Sequence, residues 1–197
     1  MTSNLTPAKK LLIIVGIQFL VLLSVIGFKQ YTTWTGEIVL LKTTAIDPRD
    51  LLRGDFVGDF VAVEYEISTI DLDKVVQDDA YGGPYGGTVY VELQRGGDGY
   101  WDAVAVHGGR EHAFAGSVLL RGDIERYYGS DEGRLPSDNT IRIHYGIEQI
   151  FVPEGSGGDL PSGGEHVIAV ELKVDRFGNA VPRRFLVDGQ PFDLRRR

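Results

Sequence analysis

Residues 11–28 form an unbroken run of 18 residues without a charged side chain, and no other feature limits the fold so strongly. As an α-helix at about 1.5 Å per residue, the run reaches roughly 27 Å, close to the hydrocarbon thickness of a bilayer. Lys9 and Lys10 precede the run, and Lys29 alone follows it closely. Because positive charge collects on the cytoplasmic side of a span, we predict a cytoplasmic segment at residues 1–10, a transmembrane helix at 11–28 and an extracytoplasmic domain at 31–197.

A cleaved signal peptide is the alternative to this uncleaved signal anchor. The two lysines would then form its charged n-region, but the apolar run exceeds the usual length of about 7 to 15 residues and no clear Ala-x-Ala site follows it. We therefore favour a single-pass cell-membrane protein whose N-terminus is cytoplasmic and whose domain is periplasmic or extracellular. The chain has no cysteine, so a lipoprotein anchor is excluded.

Composition restricts the chemistry of the exported part. Without cysteine there can be no disulfide, no thiolate metal ligand and no cysteine nucleophile. Beyond Lys29 the chain carries 17 basic and 28 acidic residues, a net charge of −11. A surface of this charge repels nucleic acid and anionic lipid headgroups. We expect no nucleic-acid partner; a cation or a basic protein would suit the charge better.

Short runs of β-branched and apolar residues dominate the exported part. Strands are predicted at residues 37–44, 60–70, 88–94, 100–107, 114–120, 140–151, 167–174 and 180–187. Glycines at residues 95–99 favour a hairpin between the third and fourth of these strands. Short helical connectors are predicted at residues 71–80 and 123–128. Together these patterns predict an all-β barrel or sandwich that follows one N-terminal transmembrane helix.

Four sequence segments resemble those of a known family. GDFVAVEY at residues 58–65 is similar to the motif that gives the GDYXXLXY family of membrane-anchored proteins its name, with Phe60 replacing the first tyrosine and Val63 the leucine. The upstream segment DPRDLLRGDF at 47–56, the block YGIEQIFVPEG at 145–155 and VDGQP at 187–191 also resemble family segments. The resemblance implies a single-span protein whose gene lies near that of a multi-span membrane protein, and it implies no particular reaction.

The first motif departs from the family pattern by a duplication. GDFV occurs at residues 54–57 and again at 58–61, so Asp55 or Asp59 could hold the family position. We assign Asp59, because Tyr65 follows it at the family's spacing. The segment after Gly155 is rich in glycine, where the resemblance would suggest a more charged and helical stretch.

Nine residues are candidate binding residues: Asp47, Arg49, Asp50, Arg53, Asp59, Tyr65, Tyr145, Glu148 and Glu154. The charges of residues 47–59 fit a turn network of carboxylates and arginines, or a clamp whose arginines hold a partner's acidic group. Glu148 lies between isoleucines, so we expect it to be partly buried and either paired with an arginine or perturbed as an acid. We hypothesise that residues 47–59 and 145–154 meet in space.

Enzymatic chemistry has weaker support in the sequence. The four histidines lack the spacing of zinc ligands and are expected on the surface, and no cofactor or metal is indicated. The alternative to a binding or accessory subunit is an acid/base hydrolase or binding module for envelope polysaccharide. Such an enzyme would use Asp59, Glu148 or Glu154 as its acid and base.

Overall fold

The computed structural model describes residues 6–45, 60–76, 87–110, 114–125, 140–151, 161 and 166–193. One helix, α1 (Pro7–Thr35), precedes a series of strands. The strands are β1 (Glu37–Ala45), β2 (Phe60–Ala62), β3 (Glu64–Tyr65), β4 (Thr69–Asp71), β5 (Thr88–Arg95), β6 (Trp101–His107), β7 (Val118–Ile124), β8 (Thr140–His144), β9 (Gln149–Phe151), β10 (Ile168–Val174), β11 (Ala180–Val187) and β12 (Gln190–Phe192). Single 3-10 turns occur at Glu66–Ser68 and Leu72–Lys74.

Helix α1 begins with a proline at its first position, where a missing N–H costs no hydrogen bond. Its large apolar side chains between residues 11 and 26 are exposed. The helix is long and apolar enough to cross a membrane, a property that N-terminal signal sequences share. It ends at Gly36, whose N–H donates to the carbonyl of Thr32 at 2.9 Å, and β1 starts at the next residue.

The strands form two five-stranded sheets and one two-stranded ribbon. The first sheet has the order β12-β11-β10-β1-β3, the second β4-β8-β7-β5-β6, and the ribbon joins β2 to β9. Neighbouring strands pair antiparallel, and the sheets combine into a nearly closed, barrel-like structure. The predicted all-β class is therefore confirmed.

Residues 60–71 connect the two large sheets. The alternation of buried and exposed side chains predicted for this segment is correct, since Val61, Val63 and Tyr65 are buried. The single strand predicted at 60–70 is wrong, because the segment divides into β2, β3 and β4. Each piece pairs with a different strand: β2 with β9, β3 with β1 and β4 with β8. Neighbouring pieces thus belong to different sheets.

Other predicted boundaries also changed. The strand at 140–151 divides into β8 and β9, and β12 was not predicted. Within the described part of the connector at 71–80, only the turn Leu72–Lys74 is helical. The connector at 123–128 is wrong at its start, because Asp123 and Ile124 belong to β7, and residues 126–128 lie outside the described part.

Buried valine, leucine and isoleucine side chains from both sheets fill the space between them. In β7, Val118, Leu120, Gly122 and Ile124 are buried while Arg121 and Asp123 are exposed, as expected for a strand with one wet face. Gly122 leaves room for the ring of Tyr145. A β-carbon there would clash with Ile143 Cγ2 and stand 3.0 Å from Tyr145 Cδ1.

We predict that Gly122→Ala lowers the free energy of unfolding by about 1–3 kcal/mol, because the methyl group overpacks a filled site. Urea unfolding of the detergent-solubilised chain, followed by the fluorescence of buried Trp101, measures the change. Gly97→Ala is the matched control, since no atom lies within 4 Å of the added β-carbon. Equal stabilities of the two variants would contradict the prediction.

Candidate functional site

The two main motif blocks pair with each other along the β2–β9 ribbon. Phe60 stands opposite Phe151, Val61 opposite Ile150 and Ala62 opposite Gln149. The ladder continues through Val63, whose N–H donates to the carbonyl oxygen of Glu148 at 2.7 Å. Residues 60–63 and 148–151 are therefore in contact, which places parts of both motif blocks side by side.

Two tyrosines exchange hydrogen bonds just beyond this ribbon. The hydroxyl of Tyr65 donates to the carbonyl of Ile147 at 2.9 Å, and the hydroxyl of Tyr145 donates to the carbonyl of Ile67 at 2.6 Å. Each tyrosine thus binds the residue two positions after the other tyrosine. Both rings are buried, with 1% of Tyr65 and 9% of Tyr145 exposed. The pair fastens the two blocks together from inside the protein.

The backbone N–H of each tyrosine forms the same kind of local hydrogen bond. The N–H of Tyr65 donates to Ser68 Oγ at 3.3 Å, and the N–H of Tyr145 donates to Glu148 Oε1. In both cases the acceptor is the side chain three residues later. The segments YEIS at 65–68 and YGIE at 145–148 therefore form an internal structural repeat. The shared Tyr-x-Ile spacing was the available sequence signal, but two matching positions are too few to stand out.

Burial raises the pKa of Tyr65 and Tyr145 well above the usual range, and the nearby negative charge of Glu148 raises both further. Both phenols consequently remain protonated at neutral pH and keep donating their hydrogen bonds. A phenolate nucleophile or base is excluded at these two positions. The binding role predicted for them stays a prediction, and in the structure their hydroxyls are engaged internally.

Glu148 is half-buried, as predicted. Its expected pairing with an arginine does not occur among the described residues, because its carboxylate accepts the N–H of Tyr145 instead. The local backbone donor lies closer in sequence than any arginine. Six other candidates, Asp47, Arg49, Asp50, Arg53, Asp59 and Glu154, lie outside the described residues.

A line of exposed charges crosses the surface beside the blocks. Arg142 of β8 lies 3.7 Å from carboxylate oxygens of both Glu64 and Glu125, and His144 lies 3.5 Å from Glu125. All four side chains are about half exposed, so each pair contributes little to stability. Periodicity alone could not identify these pairs, because they join separate strands.

A second structured region attaches helix α1 to the β domain. The hydroxyl of Thr32 donates to Asp175 Oδ2 at 2.6 Å, and both residues are buried. Asp175 opens the turn between β10 and β11, and its Oδ1 accepts the N–H groups of Phe177 and Asn179. Gly36 lets the end of the helix lie close to β10, since a β-carbon there would stand 3.0 Å from the backbone nitrogen of Val174.

Two opposing effects act on Asp175. Burial acts to raise its pKa, but the hydrogen bonds from Thr32, Asn179 and the Phe177 backbone outweigh burial and leave the pKa below the ordinary aspartate value. The carboxylate is therefore ionised at neutral pH, where it holds helix α1 on the turn. Sequence analysis missed this residue because its main partner lies 143 positions away.

A buried acid and histidine form a third network. His107 Nε2 lies 2.9 Å from Glu92 Oε2, and the N–H of Phe114 donates to Glu92 Oε1 at 3.2 Å. Burial acts to raise the pKa of Glu92, and the bonds from His107, Ser117 and Phe114 together lower it. The expectation that all histidines lie on the surface is wrong for His107, which is 3% exposed.

Two clefts are lined entirely by described residues. The larger, about 420 Å³, lies at the end of helix α1 and contains the carboxylates of Glu37 and Asp175. The smaller, about 240 Å³, contains Asp123 and His144. Neither cleft is lined by Glu148. Within the described residues, no group of three histidine, aspartate or glutamate side chains could hold a metal ion.

Comparison with known proteins gives one match. The family model described as GDYXXLXY protein matches residues 18–185, which include both tyrosines, Asp59 and Glu148. The match ends before the segment 187–191. No curated protein and no solved structure matches the chain.

We predict that Tyr65→Phe and Tyr145→Phe each lower the free energy of unfolding by about 1–3 kcal/mol, because each leaves a buried carbonyl without its donor. Urea unfolding measures the loss. Tyr100→Phe is the control and should change stability by less than about 0.5 kcal/mol. Wild-type stability in both buried variants would show that the exchanged hydrogen bonds do not hold the blocks together.

We also predict that the stability advantage of the wild type over Asp175→Asn depends on pH. A carboxylate with a lowered folded pKa stabilises the protein above its unfolded pKa of about 3.9 and loses this effect as the pH falls through the folded value. Urea midpoints between pH 7 and pH 2 should therefore converge in acid. Asp71→Asn removes one charge at an exposed aspartate of β4 and is the control. If the difference in urea midpoint between the wild type and Asp175→Asn does not change with pH, the prediction is wrong.

Proposed function

This chain belongs to the GDYXXLXY protein family, and we propose that it is a membrane-anchored binding or accessory subunit for a multi-span membrane protein. In this proposal helix α1 remains uncleaved as a signal anchor. The N-terminus is cytoplasmic, and the β domain stands in the periplasmic or extracellular space.

The observation that carries the proposal is the short, hydrogen-bonded attachment of the domain to the helix. Gly36 alone separates α1 from β1, and the buried bond between Thr32 and Asp175 fixes the angle between them. Lys173 strengthens the joint by donating from Nζ to the carbonyl of Gly36 at 2.7 Å. A domain mounted in this way keeps one height and one orientation above the membrane. That property suits a surface aimed at a neighbouring membrane protein.

A domain that binds free polymers would instead benefit from a flexible linker between its membrane anchor and its binding surface. A glycine- and serine-rich linker lets a domain search a large volume, since its reach grows with the square root of its length. Here no such linker lies between the helix and the first strand. The exposed apolar side chains of α1 also offer a second face to a membrane partner. Helix and domain could therefore dock together on one protein.

The polysaccharide hydrolase has less support from the geometry. Acid/base hydrolysis of a glycosidic bond needs two carboxyl groups facing a substrate-sized cleft. Neither described cleft contains Glu148, and the carboxylate of Asp175 is occupied by four hydrogen-bond donors. We keep Asp59, Glu148 and Glu154 as candidates for partner binding.

We predict that a flexible Gly-Ser linker inserted after Gly36 releases the partner. The chain would be purified from detergent-solubilised membranes by affinity, and its bound proteins identified by mass spectrometry. We expect the intact chain to retain a multi-span protein in a fixed stoichiometry. The linker should lower this retention at least about tenfold, because docking through helix and domain together relies on a short, stiff connection.

The same linker inserted at Gly97, in the turn between β5 and β6, is the matched control and should leave retention unchanged. Asp59→Ala combined with Glu148→Ala tests whether the motif blocks form the contact surface. Absence of any multi-span partner in the intact sample would contradict the proposed function. Equal loss from both insertions would show that rigid mounting is not the cause.

A further inference from the structure

The larger cleft brings two exposed arginines together with two acidic residues, Glu37 and Asp175. Its walls include Arg110, from the segment after β6, and Arg176, from the turn after β10. Thr35 and Glu37 close the side next to helix α1. Both arginine side chains are exposed, although the chain beyond Lys29 carries a net charge of −11. Two positive groups thus face one open cleft of about 420 Å³.

An aromatic ring holds the two guanidinium groups near each other. The Cζ atom of Arg110 lies 5.2 Å from the ring centre of Phe177 and that of Arg176 lies 4.7 Å from it, so the two groups are no more than about 10 Å apart. Arg176 also lies 5.9 Å from the ring of Tyr31 in helix α1. These cation–π contacts position the guanidinium planes and leave their N–H groups available.

No described carboxylate forms an ion pair with either arginine. Asp175 lies in the same cleft, but its oxygens accept hydrogen bonds from Thr32, Phe177 and Asn179. Glu37 contributes one exposed negative charge to the rim. Guanidinium groups bind phosphate oxygens with two parallel hydrogen bonds, a geometry that an ammonium group cannot reproduce. The chemistry of the cleft therefore favours a phosphate anion.

The cleft's position relative to helix α1 identifies the source of that phosphate. Thr35 lies seven residues beyond the last residue of the apolar run, which corresponds to about 10 Å along the helix. The headgroup layer extends roughly 5–7 Å beyond the hydrocarbon on each side. By the same arithmetic Tyr31, about 4.5 Å beyond the run, falls within this layer, and the exposed Trp34, about 9 Å beyond it, lies at its outer edge, where aromatic residues are common at membrane surfaces. Arginine side chains beside them can reach the headgroups.

We propose that Arg110 and Arg176 bind the phosphate of an anionic phospholipid headgroup where helix α1 leaves the membrane. This inference rests on the anchor part of the proposed function and is independent of any partner protein. The acidic domain as a whole would be repelled by an anionic membrane, and the two guanidinium groups would supply a local attraction at this end. The local attraction would keep the membrane-facing end of the domain against the bilayer.

Lipid retention by the full chain tests the proposal. The protein is reconstituted in nanodiscs of equal phosphatidylglycerol and phosphatidylcholine, released, and analysed by native mass spectrometry for bound lipid. We expect phosphatidylglycerol to exceed phosphatidylcholine by on the order of tenfold, equivalent to about 1.4 kcal/mol. Arg110→Gln combined with Arg176→Gln should abolish this preference. Arg110→Lys combined with Arg176→Lys keeps both positive charges but loses the paired N–H groups of the guanidinium. This variant should reduce the preference for phosphatidylglycerol.

Controls separate the site from general charge. Arg142→Gln combined with Arg183→Gln removes the same charge at two exposed arginines elsewhere and should keep the preference. Loss in this control, or full retention in either cleft variant, would overturn the proposal. So would an arginine-dependent rise in melting temperature when inorganic phosphate is added in pure phosphatidylcholine discs, since the ligand would then be soluble. Circular dichroism melting verifies that each variant is folded, and insertion in the disc tests the anchor separately.

Discussion

The exchange of hydrogen bonds between Tyr65 and Tyr145 is the interaction on which the β domain depends. The chain between β2 and β4 contributes strands to both large sheets, so the path of this short segment helps to set how the two sheets meet. Each buried hydroxyl binds a backbone carbonyl of the other block, which fixes where that path bends. Because the alternative is a buried carbonyl without a donor, departures from this geometry are costly. The motif residues thus act first as structural elements.

Buried polar side chains in this protein form hydrogen bonds between secondary-structure elements that are separated in sequence. Thr32 and Asp175 join the helix to the domain, and Glu92 joins β5 to His107 and to the segment before β7. In each case a carboxylate accepts several donors, so its desolvation cost is offset and its pKa is lowered. The apolar core supplies most of the favourable free energy. These networks decide how the parts are oriented.

The fixed joint between helix and domain links the two proposals. In these proposals the short connection would bring the arginine cleft close to the headgroups and would hold the rest of the domain in one orientation relative to the membrane. Lipid binding at the base and partner binding higher on the domain would therefore reinforce each other. Neither would follow from the net charge of the chain, in which acidic residues outnumber basic ones.

The sequence by itself determined the apolar helix, the all-β class, most strand positions and the family, because periodicity and motif identity are local properties. Pattern also predicted the burial of Val61, Val63 and Tyr65. Only the tertiary structure decided that residues 60–70 divide among three partners, that Glu148 binds the backbone of Tyr145 rather than an arginine, and that Arg110 and Arg176 lie against the same phenylalanine ring. The division of residues 60–70 and the contacts of Arg110 depend on residues far apart in the chain, which leave no periodic trace in either partner alone. The Glu148 bond is local, but a periodic pattern does not specify which donor a carboxylate binds.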